Sequence, residues 1–162
     1  GIIDNVVNIR TAMKSAQDGP RGILESQSRR PMQADPELSG KQVLVVDDEP
    51  FIRQTISEVV QKYGMIADTA CDGKKALSLI GQRTYDLVVS DIKLPFATGY
   101  EVFAAARKKN KHVPVILMTG FGYDPNHSIV RANREGLSAI LYKPFKIDQL
   151  MTEIRQAICS GT

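Results

Sequence analysis

Side chains suited to phosphate chemistry stand at the ends of four apolar, strand-like runs of this sequence. The runs cover 42–46, 85–90, 113–118 and 138–142, and the polar residues that follow them are Asp47 with Asp48, Asp91, Thr119 and Lys143. Segments with helical periodicity separate the runs, so the strands should be parallel and their carboxyl ends should share one edge of a sheet. Because sites form at that edge in open α/β sheets, we expect three carboxylates, a hydroxyl and an ammonium to converge there.

The three aspartates predict a magnesium site. Adjacent carboxylates at Asp47 and Asp48, with Asp91 from a neighbouring strand, repel one another unless a cation lies among them. Mg²⁺ prefers such oxygen ligands and keeps several waters. We expect direct ligation by Asp48 and Asp91 and by the backbone carbonyl of Lys93, with Asp47 acting through water. The segment 47–50 also fits a helix N-cap with an acidic first turn. Taken alone, this segment does not distinguish a magnesium site from a helix cap.

Asp91 is the candidate nucleophile. The residues after it, 92–95, form a loop stiffened by a proline and leave the carboxylate at a loop mouth. There it could attack phosphorus beside Mg²⁺ and form an aspartyl phosphate. Lys143 would neutralise charge on the transferring oxygens, and the Thr119 hydroxyl would hydrogen-bond one of them. Either residue alone would more often be structural, but the combination at successive strand ends favours the chemical interpretation.

Composition indicates one globular domain with an extension. The 162 residues, 43% of them hydrophobic, suit a domain of roughly 120 residues and an additional segment. No apolar run approaches the roughly 20 residues of a membrane span and no signal peptide is recognisable, so we expect a cytoplasmic protein without membrane insertion. Two cysteines without a CxxC pair argue against a disulfide framework or a zinc site. The formal charge of +3 is too small to indicate nucleic-acid binding.

Residues 1–40 are predicted to form an arm that precedes the domain at 41–160. Apolar residues recur with helical spacing over 2–16, whereas 17–40 is rich in glycine, proline and serine, as linkers are. The arm could be the end of an upstream domain or a dimerisation element, and a homodimer could form through the arm or through the last helices of the chain. The sequence leaves both open.

A rhythm of alternating strands and helices runs through the domain. Strands are expected at 42–46, 65–70 (at a sheet edge), 85–90, 113–118 and 138–142, and helices at 50–63, 73–83, 98–109, 125–135 and 147–158. The strands are rich in valine, isoleucine and leucine without alternation, so both faces of the sheet should be covered. Right-handed crossovers then favour an α/β fold, a doubly wound five-stranded parallel sheet of order 2-1-3-4-5.

With these motifs, residues 41–160 resemble a response-regulator receiver domain of two-component signalling, which has a flavodoxin-like fold. The matching stretches are 43–50 (VLVVDDEP), 86–95 (DLVVSDIKLP), 99–102 (GYEV), 115–120 (VILMTG) and 143–145 (KPF). The resemblance implies that a histidine kinase or a histidine-phosphotransfer protein phosphorylates Asp91. It assigns Mg²⁺ binding to Asp47 and Asp48, and phosphoryl binding to Thr119 and Lys143. It also implies a cis peptide bond before Pro144, and no enzymatic activity beyond Mg²⁺-dependent self-phosphorylation and slow autodephosphorylation.

The chain departs from the receiver pattern at the residue that usually changes conformation on phosphorylation, the switch residue. Receiver domains usually carry an aromatic residue three positions before the lysine, and its ring turns inward when the threonine moves toward phosphate. This chain has Ile140 there. We expect Phe121 or Tyr123, in a glycine-containing loop, to take over the switching role, or Tyr142, which otherwise packs. Lys93 and Phe121 also flank the path of a hydrolysing water, so autodephosphorylation is expected to be slow.

Two other functions fit parts of the sequence. A phosphatase with an aspartate nucleophile would share the Mg²⁺, threonine and lysine, but that class has Asp-x-Asp at the first strand end, where this chain has Asp47-Asp48. A receiver fold that serves as a constitutive interaction or dimerisation module is the alternative that Ile140 keeps open. The sequence does not say whether the domain acts alone or belongs to a hybrid histidine kinase, nor which kinase phosphorylates it.

Overall fold

The fold is a parallel sheet with helices on both faces. The computed structural model of the protein describes residues 35–120 and 139–159. The strands are β1 (Gln42–Val46), β2 (Ile66–Ala70), β3 (Leu87–Asp91), β4 (Val115–Thr119) and β5 (Ala139–Tyr142). The described helices are α1 (Pro50–Lys62), α2 (Gly73–Gln82), α3 (Gly99–Lys109) and α4 (Ile147–Cys159). The predicted helices at 2–16 and 125–135, and the residues Phe121 and Tyr123, lie outside the described residues.

The strand order is β2-β1-β3-β4-β5, with every neighbouring pair parallel. This confirms the predicted doubly wound sheet. Because β1 and β3 are adjacent while the chain between them visits β2, the crossover direction reverses between these two strands. A crevice therefore opens at their carboxyl ends, which is where the aspartates lie.

Two apolar layers enclose the sheet, one on each face. All residues of β3 and β4 are buried, as expected for strands covered on both sides. Alternate residues of one strand enter different layers: Val43 and Val45 pack with α1 and α4, whereas Leu44 and Val46 pack with α2 and α3. The sheet is consequently held rigidly between helices, and its carboxyl edge forms a fixed platform for side chains.

Two strands end later than the sequence predicts. Asp91 pairs in register with Met118, and Thr119 with Tyr142, so Asp91 and Thr119 are the last residues of β3 and β4 rather than the first residues of loops. Runs of apolar residues mark strands by burial, but a ladder continues through a polar residue when its backbone pairs with the next strand. Both side chains are thereby fixed by sheet geometry.

Residues 35–40 pack against the domain, although the sequence assigns them to a linker. Leu38 is fully buried in the same apolar layer as α1 and α4. The backbone N–H of Asp35 donates to the Tyr63 carbonyl at 3.0 Å, and the Asp35 carboxylate pairs with Arg155 of α4. The division of the chain at residue 41 remains a prediction for the arm as a whole, but its last residues are part of the folded domain.

Truncation of Leu38 tests this packing. Leu38→Ala should lower the free energy of unfolding by about 2–4 kcal/mol, because the lost methyl groups leave a cavity in the core. Urea denaturation measures the change. Ile66→Ala, on a side chain that is 55% exposed at the edge strand, should lower it by less than about 1 kcal/mol. Equal losses in the two variants would contradict the packing role of residues 35–40.

Candidate functional site

Three carboxylates meet at the crevice between β1 and β3. One oxygen each from Asp47, Asp48 and Asp91 lies within 4.8 Å of the others. Asp47 is fully buried, Asp91 is 8% exposed and Asp48 is exposed to solvent. The structure thus brings together the acidic residues predicted from the sequence, and it leaves Asp91 accessible at the mouth of the crevice.

Lys143 connects two of these carboxylates. Its Nζ donates to Oδ2 of Asp47 at 2.9 Å and to Oδ2 of Asp91 at 3.0 Å. The lysine directly follows β5, its backbone N–H bonds the Thr119 carbonyl at 2.7 Å, and its peptide bond to Pro144 is cis, as expected. A long side chain from one end of the β-sheet therefore reaches across the crevice to the aspartates of β1 and β3.

Burial dominates the acid–base chemistry of Asp91. It raises the pKa of the carboxyl from 3.8 to about 6: the Lys143 ammonium opposes this shift, and the charge of Asp47 adds to it. Burial alone would lower the pKa of Lys143, but the carboxylates of Asp47 and Asp91 outweigh it and the net shift is upward. A single ammonium among three carboxylates leaves the crevice with an excess of negative charge, which a divalent cation would offset.

Thr119 places a hydroxyl at the same edge. The residue is 3% exposed, and its Oγ1 has no hydrogen-bond partner within the described residues. A buried hydroxyl without a partner is unfavourable, and among residues 35–120 and 139–159 nothing accepts from this one. An oxyanion in the crevice is a suitable acceptor.

The turn after β1 is held by Asp47 and by a residue that the sequence analysis missed. Oδ1 of Asp47 accepts from the Glu49 N–H at 2.9 Å, and Arg53 Nη1 donates to the Asp47 carbonyl at 2.8 Å. Glu49 is the N-cap of α1 but makes no capping hydrogen bond with its side chain. The acidic segment therefore acts as more than a helix cap. The only sequence signal for the role of Arg53 is its position, one turn into the helix that follows the acidic pair.

Two glycines that the sequence analysis did not single out hold the loop after β3. The Gly99 N–H donates to the Ile92 carbonyl at 2.8 Å, and the Gly73 N–H donates to the Pro95 carbonyl at 3.0 Å. A Cβ on Gly73 would lie 2.2 Å from the Ala97 carbonyl oxygen, and one on Gly99 would lie 2.4 Å from the Asp91 carbonyl oxygen. Only glycine permits this close approach of α2 and α3 to the loop.

Phe96, at the tip of this loop, has an unfavourable backbone conformation. Its φ is 70°, and the Ala97 N–H donates across it to the Pro95 carbonyl at 2.8 Å. This hydrogen bond between residues two apart, with a positive φ at the middle residue, is the pattern of the rarer and strained form of γ-turn. For a bulky side chain the left-handed region costs about 1–2 kcal/mol. The ring gains no packing in return, since the residue is 82% exposed.

The switch candidates are placed differently. Ile140 is half-buried against the apolar layer of α2 and α3. Tyr142 is 60% exposed, so the packing role considered for it is wrong, and it lies opposite Thr119 in register. Lys93 is exposed on the loop after β3. Its carbonyl as a ligand, like the switching role of Tyr142, stays a prediction.

Comparison with known proteins identifies the family of this chain. A sequence model of the family described as "Response regulator receiver domain" matches residues 43–155. The chain belongs to this family. Receiver domains accept phosphoryl groups in two-component signalling and bind Mg²⁺ at an acidic pocket. The family excludes the phosphatase interpretation, and no feature of the described residues favours the constitutive dimerisation module.

Relatives of this receiver domain occur within longer and single-domain proteins. The transcriptional regulatory protein TcrA of Mycobacterium tuberculosis is 32% identical over 127 residues, which cover 78% of this chain and 49% of TcrA. The chain thus spans about half the length of that relative. Sporulation initiation phosphotransferase F of Bacillus subtilis is 29% identical over 121 residues, 74% of this chain and 94% of that protein.

A solved relative has the same fold. The response regulator TrrA of Thermotoga maritima, determined in complex with Mg²⁺-BeF, is 35% identical and superposes with a TM-score of 0.60, over 72% of this chain and 98% of TrrA.

In the part of the receiver domain that the structure describes, no helix is both long enough and apolar enough to cross a membrane.

The contact of Gly73 with the loop after β3 can be tested within one helix. Gly73→Ala should lower the free energy of unfolding by about 1–3 kcal/mol, because the added methyl group collides with backbone. Gly81, also in α2, has open space around its Cβ position, and Gly81→Ala should raise the free energy of unfolding by about 0.5–1 kcal/mol. Chemical denaturation measures both. If the free energy of unfolding changed in the same direction in both variants, the close contact of Gly73 with the loop after β3 would be refuted.

The raised pKa of Asp91 predicts a pH-dependent gain in stability for Asp91→Asn without divalent cations. The folded pKa of about 6 exceeds the usual 3.8, so ionised Asp91 destabilises the fold. The gain should be absent below pH 3.8, grow up to pH 6 and reach about 1–3 kcal/mol above it. Urea denaturation between pH 4 and 8 measures it. A variant less stable than the parent at pH 7.5 would show that Lys143 outweighs burial.

Proposed function

We propose that Asp91 is the phosphoacceptor of this receiver domain. The observation that carries the proposal is the convergence of Lys143 with Asp47 and Asp91 from three different strand ends. Asp91 combines the properties that a nucleophilic carboxylate needs. It is held by sheet pairing, partly open to solvent, and oriented by an ammonium at 3.0 Å.

We infer that Asp48, Asp91 and the backbone carbonyl of Lys93 hold Mg²⁺, with Asp47 acting through water. Oxygens that share one Mg²⁺ lie about 3–4 Å apart, and the carboxylate oxygens here are within 4.8 Å of one another, so the donor set fits. Asp47 already accepts two hydrogen bonds, from Glu49 and Lys143, which supports an indirect role. When bound, Mg²⁺ would neutralise charge on the phosphoryl oxygens and the carboxylates. The complex of TrrA with Mg²⁺-BeF supports this assignment.

The transfer step follows from these positions. An Oδ atom of Asp91 attacks the phosphorus of a phosphohistidine, the P–N bond breaks, and its electron pair returns to the imidazole nitrogen. Lys143 is placed to balance the charge of a phosphoryl oxygen, since its Nζ already contacts Asp91. The Thr119 hydroxyl, which has no acceptor within the described part of the chain, donates to another phosphoryl oxygen.

The partners and the context of the whole protein follow from the same chemistry. The phosphodonor is a histidine kinase or a histidine-phosphotransfer protein, and the donor's phosphohistidine derives from cellular ATP, which indicates a cytoplasmic location.

The position of Ile140 implies that an aromatic residue other than that of the usual switch responds to movement of Thr119: Tyr142, or Phe121 or Tyr123. Slow autodephosphorylation and a homodimer through the arm or the last helices remain predictions.

Small-molecule phosphorylation tests the assignment. Acetyl phosphate with Mg²⁺ should add one phosphoryl group to the parent chain, detected by intact mass and located on Asp91 by peptide mass spectrometry. Asp91→Asn should not be modified, because the amide is not a nucleophile. Asp86→Asn is the matched control, since Asp86 is exposed at the opposite edge of the sheet, where it accepts from the Gln42 N–H. Phosphorylation that survives in Asp91→Asn would overturn the proposal.

A further inference from the structure

Phe96 is the side chain that the fold and the phosphoryl chemistry explain least. It combines a φ of 70° with 82% exposure, so the chain bears backbone strain for a ring that packs little against the described residues. Glycine or asparagine tolerates this conformation far better. The other exposed large apolar side chains, Ile66 and Tyr142, lie in strands and carry no positive φ. Little within residues 35–120 and 139–159 covers this ring, which favours a contact with another molecule.

The position of Phe96 is fixed relative to Asp91. The loop after β3 is closed at its base by the Gly99 N–H to Ile92 carbonyl bond, and its tip is pinned by the Gly73 N–H to Pro95 carbonyl bond. Both ends of the loop lie at the carboxyl edge of the sheet, beside the crevice. This loop begins directly after Asp91 and returns to Ile92 at Gly99, so it forms part of the rim of the mouth through which Asp91 is reached, and Phe96 lies at its tip.

We propose that Phe96 is an aromatic anchor on which the phosphodonor protein docks when it delivers its phosphoryl group to Asp91. The inference rests on the proposed function. A histidine side chain is short, so the protein surface around a phosphohistidine must press against the rim of the mouth during transfer. An exposed aromatic ring on a rigid turn supplies contact area at a small loss of conformational entropy, which is typical of residues that dominate binding. The donor should present an apolar pocket beside its histidine.

A second copy of the chain is a less suitable occupant. A dimer built on Phe96 would cover the mouth of the crevice and obstruct the approach to Asp91, which is 8% exposed in the single chain. The phosphodonor, in contrast, has to occupy this rim in order to react. Sedimentation of the parent and the variants distinguishes the two.

The test compares two kinds of phosphodonor on three variants. Phe96→Asn removes the ring and suits a positive φ, Phe96→Tyr keeps the ring, and Ile66→Ala removes an exposed apolar side chain at the opposite edge of the sheet. Acetyl phosphate with Mg²⁺ reports on the chemistry at Asp91 alone. The protein probes are the purified, autophosphorylated histidine kinases and the phosphorylated histidine-phosphotransfer domains of the source organism, and the probe with the fastest transfer to the parent is used.

Phe96→Asn should react with acetyl phosphate at a rate within about twofold of the parent, while kcat/KM for transfer from the protein donor falls roughly 10- to 100-fold, mainly through KM. Phe96→Tyr and Ile66→Ala should stay within about threefold of the parent in both reactions. The unfolding midpoint of Phe96→Asn should not decrease, because strain is relieved.

Several results would overturn the inference. One is an unchanged protein transfer in Phe96→Asn, and another is an equal loss in Ile66→Ala. Parent chain that dimerises, with Phe96→Asn monomeric and unaffected in transfer, would assign the ring to self-association instead. A parent that reacts with acetyl phosphate but with no protein donor would leave Phe96 without the partner proposed here. A failure of the proposed function is separate, since acetyl phosphate would then fail to modify Asp91 in the parent itself.

Discussion

The ammonium of Lys143, held between Asp47 and Asp91, is the interaction on which the site depends. Two carboxylates this deeply buried, with a third beside them, would be strongly unfavourable without a cation. The lysine lies 96 residues from Asp47 and 52 from Asp91 in the sequence, so the pairing is possible only when β1, β3 and β5 are assembled in this order. The same contacts keep the Asp91 carboxylate oriented at the mouth of the crevice, and thus connect folding to phosphoryl chemistry.

Three unfavourable features of the described residues lie at the carboxyl edge of the sheet. Asp91 has a raised pKa, Thr119 buries a hydroxyl without a partner in the described chain, and Phe96 adopts a positive φ. Elsewhere the sheet is covered on both faces by apolar side chains in ordinary strand and helix geometry. Each of these three features gives its residue a capacity that the described part of the chain does not use: a nucleophilic oxygen, a hydrogen-bond donor and an exposed ring. In the proposed function, these capacities serve a phosphoryl group and the protein that carries it.

The opposite edge of the domain connects to the rest of the chain. Leu38 fills the apolar layer between α1 and α4, and Asp35 joins the end of α1 to Arg155 of α4. The segment that leads to the arm is therefore fastened to two helices that also cover the face of the sheet beneath the site.

Much of the fold and the central site was determined by local sequence. Unbroken valine, isoleucine and leucine runs specify strands buried on both faces, and the helices between them require parallel pairing. Right-handed crossovers then leave few strand orders, and the aspartates lie at strand ends in each of them. Tertiary structure alone decided which atoms meet. The contacts of Lys143 and Arg53 depend on the reach of long side chains across strands, and the role of Gly73 depends on a neighbouring loop. Leu38 lies in a stretch with linker composition, and Phe96 lacks the glycine or asparagine that usually marks a positive φ. Periodicity reports which side of an element is apolar, but it contains no distances between elements, and these distances make the site.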